Sequence, residues 1–152
     1  MEYRVIALAQ EIADEVRREL RAPEYGHPAH VERAGGTGPC RLCLRPFRVN
    51  EEDRVLFTYN PFPAESDLPA PGPVFLHKEA CARFDAPGFP PGLRAIPVTV
   101  EGYDDRGLVV ARMRSGYADA AVRDVLSRAS VAHAHLRNSE AGCFIARVER
   151  AG

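Results

Sequence analysis

The sequence predicts an α+β domain on a mainly antiparallel sheet, with two helices and a candidate zinc-knuckle-like insertion. Three observations carry this expectation. Apolar residues recur at helical spacing in two stretches. Short strand-like runs are grouped without regularly alternating crossover helices, which disfavours a parallel sheet. A Cys-x2-Cys pair lies in "PCRLCLRPF", between a Gly-rich approach and an Arg-bearing stretch. The 152 residues suit one compact domain. Hydrophobic residues at 45% and charged residues at 27% make wholesale disorder an unsuitable description.

The first helix is expected over residues 5–21. Ile12, Val16 and Leu20 recur every four residues, while Arg17, Arg18 and Glu19 face outward. Pro23 ends it. Residues 22–38, rich in Pro, Gly and polar side chains, read as an irregular connection, with His27 and His30 at the surface. Residues 1–37 thus form an N-terminal helix and connection. Residues 38–150 form the main α+β body, packed with that segment as one unit.

A strand is expected at 54–60, where Val55, Phe57 and Tyr59 alternate with Leu56 and Thr58. A loop at 61–73, a short strand at 73–77, one helical turn at 78–84 and a Pro/Gly loop at 85–92 follow. The clearest hairpin spans 95–103 and 107–113, joined by Asp104, Asp105, Arg106 and Gly107, which suit a turn with a left-handed position. Ala120, Ala121, Val122, Val125 and Leu126 predict a helix at 118–129, with Tyr117 near its start and Asp119 at its positive end. Strands at 131–136 and 143–149, turned by Asn138 and Gly142, complete the chain.

A net charge of −1, from 20 basic and 21 acidic side chains, argues against nucleic acid as a partner. Arg41, Arg45 and Arg48 read as a solvated face. Neither a membrane span nor an export signal is evident, so a cytoplasmic location is expected. There, cysteines serve as thiols or metal ligands more often than as disulfides. "AGGTGPC" lacks the Lys-Ser or Lys-Thr of a phosphate loop. The sequence names no small-molecule or protein partner and no oligomeric state.

Four residues carry the metal expectation: Cys40, Cys43, His77 and Cys81. A tight turn directs the first two sulfurs at one ion, and a helical turn over 77–81 would put the other two ligands on one face. Three thiolates and one imidazole make a closed tetrahedral zinc set. The same residues also fit inert buried thiols and a core histidine. A thioredoxin-like pair is disfavoured because Pro46 interrupts the helix it requires.

"VAHAHLRNSEAGCF" is the second focus. Alternation on a strand puts His133, His135 and Arg137 on one side, with Cys143 returning opposite them. A histidine beside a thiol makes a nucleophile, so Cys143 with His135 or His133 is the catalytic candidate; the two histidines and the thiolate could instead hold a metal with one open position. Arg41, His135, Arg137 and Asn138 are the candidate ligand pocket. The bland alternative is a half-exposed polar sheet face. Asp104–Asp105 sits in the hairpin turn, and Glu51, Glu52 and Asp53 read as solvated.

"GPCRLCL", "RVLFTYNPF", "GPVFLHKEAC" and "AHLRNSEAGCFIARVER" together resemble DUF1203, a small bacterial family of unknown function, over residues 38–150. The resemblance brings no activity, substrate or cofactor. It implies that Cys40, Arg41, His135, Asn138, Gly142 and Cys143 follow the family pattern. Cys43 and His77 depart from it, since the family shows Cys-Arg-x-Ser-Leu and an arginine near the position of His77. A metal site would then be an addition of this branch. Two functions are expected: a zinc-stabilised binding or regulatory domain, or a cysteine/histidine enzyme acting on a small anionic substrate. The enzyme would use Cys143 or Cys40 as its thiol and His135 as its base.

Overall fold

The computed structural model describes residues 2–62 and 71–151, so most of the loop expected at 61–73 lies outside the described residues. In chain order the elements are β1 (Tyr3–Ile6), α1 (Gln10–Glu19), β2 (His30–Arg33), β3 (Asp53–Tyr59), β4 (Gly72–His77), a 3-10 turn at Pro91–Leu93, β5 (Val98–Tyr103), β6 (Val109–Arg114), α2 (Ala118–Ser127), β7 (His133–Asn138) and β8 (Phe144–Arg150). The fold is α+β with two helices, and every strand pairing within its two sheets is antiparallel. The described residues group into two compact units, one from 2–6 and 85–151, the other from 7–84.

The first unit is a five-stranded sheet in the order β1-β8-β7-β5-β6. Helix α2 buries Ala121, Val122, Val125 and Leu126 over β5 to β8. Its close approach depends on Gly102 in β5. A Cβ there would lie 2.8 Å from Val125 Cγ1 and 2.9 Å from Val131 Cγ2, inside contact distance for two stiff side chains. The β5–β6 turn follows the sequence expectation. Asp104 Oδ1 accepts from the Arg106 and Leu108 N–H groups at 2.9 Å, and Gly107 takes the left-handed conformation (φ 84°).

The second unit packs the sheet β2-β3-β4 with α1 and the Cys40–Phe47 stretch. Ala13 and Val16 of α1 enter one buried cluster with Val55 and Phe57 of β3, Val74 and Leu76 of β4, and Leu42 and Phe47. Side chains of this size stabilise the fold by about 1.5–3 kcal/mol each when fully buried.

Three local expectations are corrected. Val5 and Ile6 do not start the helix; residues 3–6 form an edge strand, with Tyr3 opposite Arg150 and Ile6 opposite Arg147. Their burial alternates with period two, and the partner lies at the other end of the chain. Helix α1 stops at Glu19, before Pro23. Leu20 turns left-handed (φ 53°), donates its N–H to Val16 O at 2.8 Å, and is exposed instead of joining the apolar stripe. The 22–38 connection contains β2, whose four residues are all exposed and carry no periodic burial signal.

Candidate metal centre

The Cys40–Cys43 turn is built by backbone. Leu44 N–H donates to Cys40 O at 2.9 Å, Cys40 N–H donates to Arg45 O at 3.1 Å, and Leu44 adopts φ 56°. Arg41 N–H donates to Phe75 O at 2.9 Å, which ties the turn alongside β4. That pairing delivers His77, the last residue of β4, to the cysteine pair. The expected helical turn at 78–84 does not form. Lys78 N–H instead bonds Asp53 O at 3.1 Å, and Phe84 N–H returns to Leu42 O at 2.8 Å. This irregular path, and not i,i+4 helix geometry, carries Cys81 back to the site.

One ligand atom from each of Cys40, Cys43, His77 and Cys81 lies within 4.8 Å of the other three. Cys40 Sγ and Cys81 Sγ are 3.9 Å apart, and Cys43 Sγ lies 3.4 Å from His77 Nδ1. With zinc–sulfur bonds of about 2.3 Å and zinc–nitrogen bonds of about 2.0 Å, a tetrahedron has edges of roughly 3.8 Å and 3.5 Å. The observed spacings match both. These two of the six donor–donor spacings have the size of tetrahedral edges, so the cluster could hold a metal ion.

The surrounding groups suit that shell. His77 turns Nδ1 toward the sulfurs and pairs through Nε2 with Glu52, the carboxylate–imidazole arrangement that fixes the tautomer of a ligating histidine. Glu52 is itself held at 3.0 Å by both the backbone N–H and Nε of Arg48. Burial opposes its charge, but Arg48 and His77 together hold it below the usual carboxylate range. The His77 ring also packs on Phe47, with centroids 4.6 Å apart. Each sulfur receives a donor: His77 N–H to Cys40 at 3.3 Å, Arg17 Nη2 to Cys81 at 3.3 Å, and Arg45 to Cys43. With a divalent ion bound, three thiolates and one neutral imidazole would leave one net negative charge, which these guanidinium groups would offset.

Ionisation within the cluster sets what an added cation would change there. Hydrogen bonds with Cys43 and Cys81 push the Cys40 thiol up, while hydrogen bonds with Cys40 and Cys81 pull Cys43 down. Hydrogen bonds to Cys43 and Cys81 push His77 up to about 10, against the effect of burial. The sulfurs thus share negative charge against one imidazolium. A second thiolate at about 4 Å adds repulsion of about 4 kcal/mol at an effective dielectric constant near 20. A divalent ion would remove that penalty, and its binding would release the shared protons.

The second focus has a different character. His133 and His135 do share one side of β7, with ring centroids 5.3 Å apart, and Tyr103 packs on both at 5.4 and 4.7 Å. His135 is fully buried and held down to about 2, chiefly by desolvation and then by nearby His133, Arg137 and Arg147. Arg137 Nε pairs with Glu101 at 2.6 Å, and Glu101 also takes Arg112 at 2.7 Å. Asn138 Oδ1 accepts from Glu140 N–H at 2.9 Å and so shapes the β7–β8 turn. In the β7–β8 register, Arg147 stands opposite His135 and Phe144 opposite Arg137, while the Cys143 sulfur contacts Ala141 O at 3.9 Å. Arg41 is buried in the 7–84 unit, its guanidinium bonded to Pro39 O, whereas His135, Arg137 and Asn138 belong to the other unit.

Sequence reasoning passed over three supporting residues. Glu52 looked solvated, and Arg17 and Arg45 looked like outward charges, yet all three engage the cluster. Arg17 also bonds His77 O at 2.9 Å and Glu79 O at 3.1 Å, binding the Cys81 segment to α1. No spacing signal marks them, because their partners lie on other elements.

No helix among the described residues is long and apolar enough to cross a membrane. Neither the curated proteins nor the solved structures contain a match to this chain. The family described as "Protein of unknown function (DUF1203)" matches residues 37–150, about three quarters of the sequence and all four candidate ligands. The chain belongs to the DUF1203 family.

Proposed function

We propose that this chain is a zinc-stabilised domain with a binding or regulatory role, the zinc held by the sulfurs of Cys40, Cys43 and Cys81 and by Nδ1 of His77. The observation that carries the reading is the convergence of those four ligand atoms within 4.8 Å of one another. Four protein donors fill a tetrahedral shell and leave no position for substrate, which is the pattern of a structural ion. All four cysteines are free thiols, which fits a reducing cytoplasm. Metal analysis and zinc-edge absorption spectroscopy of the purified chain test the reading. A single zinc with three sulfur neighbours and one nitrogen is expected. Metal-free protein whose cysteines all titrate as ordinary thiols sinks it.

A second reading, a cysteine/histidine enzyme for a small anionic substrate, draws on the paired imidazoles of His133 and His135 beside Arg137. It requires an activated thiol at Cys143 or Cys40. Alkylation of both at the rate of an unactivated thiol at neutral pH ends it.

A further inference from the structure

The four ligands are unequal in access. Cys40 and Cys43 are buried, whereas Cys81 is half-buried. Its side chain helps line a surface concavity of about 460 Å³, with Arg45, Arg48, Glu52, His77 and Glu79 around it. A small polar molecule entering that concavity meets the Cys81 sulfur on the surface side of the cluster. Behind it, at 3.9 Å, lies Cys40 Sγ. Cys81 also sits on an irregular segment, which can shift its sulfur without disturbing a helix or a strand.

Resting on the zinc reading above, we propose that the centre is a peroxide-responsive switch in which Cys81 is oxidised first, joins Cys40 in a disulfide, and expels the ion. The oxidant is hydrogen peroxide. The Cys81 sulfur attacks one peroxide oxygen and the O–O bond breaks, giving a sulfenic acid and hydroxide. The Cys40 sulfur then attacks the Cys81 sulfur and displaces a second hydroxide, so the S–S bond forms as the S–O bond breaks. Two electrons pass from the sulfur pair to the peroxide, and two solvent protons convert both hydroxides to water. Cys43 and His77 remain as the only donors, two short of a closed zinc shell. Arg17 keeps its bonds to the carbonyls of His77 and Glu79 throughout, so the segment stays beside Cys40 and reduction can rebuild the site.

The discriminating experiment treats the zinc-loaded full chain with a modest excess of hydrogen peroxide. Released zinc is followed with a chromogenic chelator, and the disulfide is mapped by mass spectrometry of a non-reduced digest. The expected result is one Cys40–Cys81 linkage per zinc released, with zinc taken up again after thiol reduction. Cys143→Ser keeps all four ligands and is expected to give the same linkage; Cys81→Ser is expected to give none. A Cys40–Cys43 linkage, or oxidation confined to Cys143 with zinc retained, overturns the switch while leaving the zinc reading intact. Protein that never holds zinc removes the zinc reading and the switch's output together.

Discussion

The molecule carries two histidine-bearing clusters, and their donors come together by different routes. In the 7–84 unit, a backbone turn, the end of β4 and an irregular return segment each supply part of one shell. In the other unit, His133, His135 and Arg137 come from one strand and are occupied by ring packing and by the ion pair of Arg137 with Glu101. The His133 and His135 ring centroids stand 5.3 Å apart, and among the described residues no cysteine or carboxylate is grouped with them as a metal set. Separate segments can bring their donors as close as packing allows. What distinguishes the first cluster here is the convergence of four donors from three stretches of chain.

The sharpest way to break this contrast is to remove a ligand. Cys43→Ser should abolish zinc retention and unfold the 7–84 unit, because binding of a structural zinc can contribute about 10 kcal/mol or more to folding. Hydrogen exchange on the variant should show loss of protection in β3 and β4, with β7 and β8 less affected. Equal loss in both units, or none, breaks the distinction. A smaller effect is expected from Glu52→Gln, which keeps the shape but weakens the support of His77. Zinc affinity should fall by roughly tenfold to a hundredfold in a competitive chelator titration. Unchanged affinity would remove Glu52 from the site.

In the other unit the expected effects concern packing and protonation. Gly102→Ala forces a methyl against Val125 and Val131 and should cost about 1–3 kcal/mol in urea unfolding, with zinc content unchanged. Finally, His135 is held down to about 2, against an ordinary value near 6.5. Between those values the unfolded chain binds a proton that the folded chain does not. Its contribution is complete above about pH 6.5 and is lost as the solution becomes more acid, at about 1.4 kcal/mol per pH unit. His135→Leu should flatten the acid limb of stability against pH by that slope. An unaltered limb would show that the buried imidazole does not govern acid sensitivity.

Much of this protein was legible in order along the chain. The α+β class, helix α2, the β5–β6 hairpin with its Asp104–Gly107 turn, and the strands β3, β4, β7 and β8 follow from periodicity and turn chemistry, with boundaries displaced by up to three residues. The metal candidates were legible as residue types with plausible spacing. Strand β1 was hidden because its partner β8 lies more than a hundred residues away. Strand β2 was hidden because an edge strand with every residue exposed has no apolar alternation.

The sequence by itself supplied the inventory: three thiols and an imidazole at 40, 43, 77 and 81, two helical stripes and a set of strands. Only the tertiary structure decided that the four donors meet, that Glu52 orients His77, that Arg17 and Arg45 reach the sulfurs, and that His133 and His135 are packed by Tyr103. The reason is physical. Local sequence fixes what a residue can donate and which way a short element faces. The distance between donors from separate segments depends on how the backbone bonds and buried side chains between them pack, and a four-ligand shell tolerates only a few tenths of an ångström in that distance.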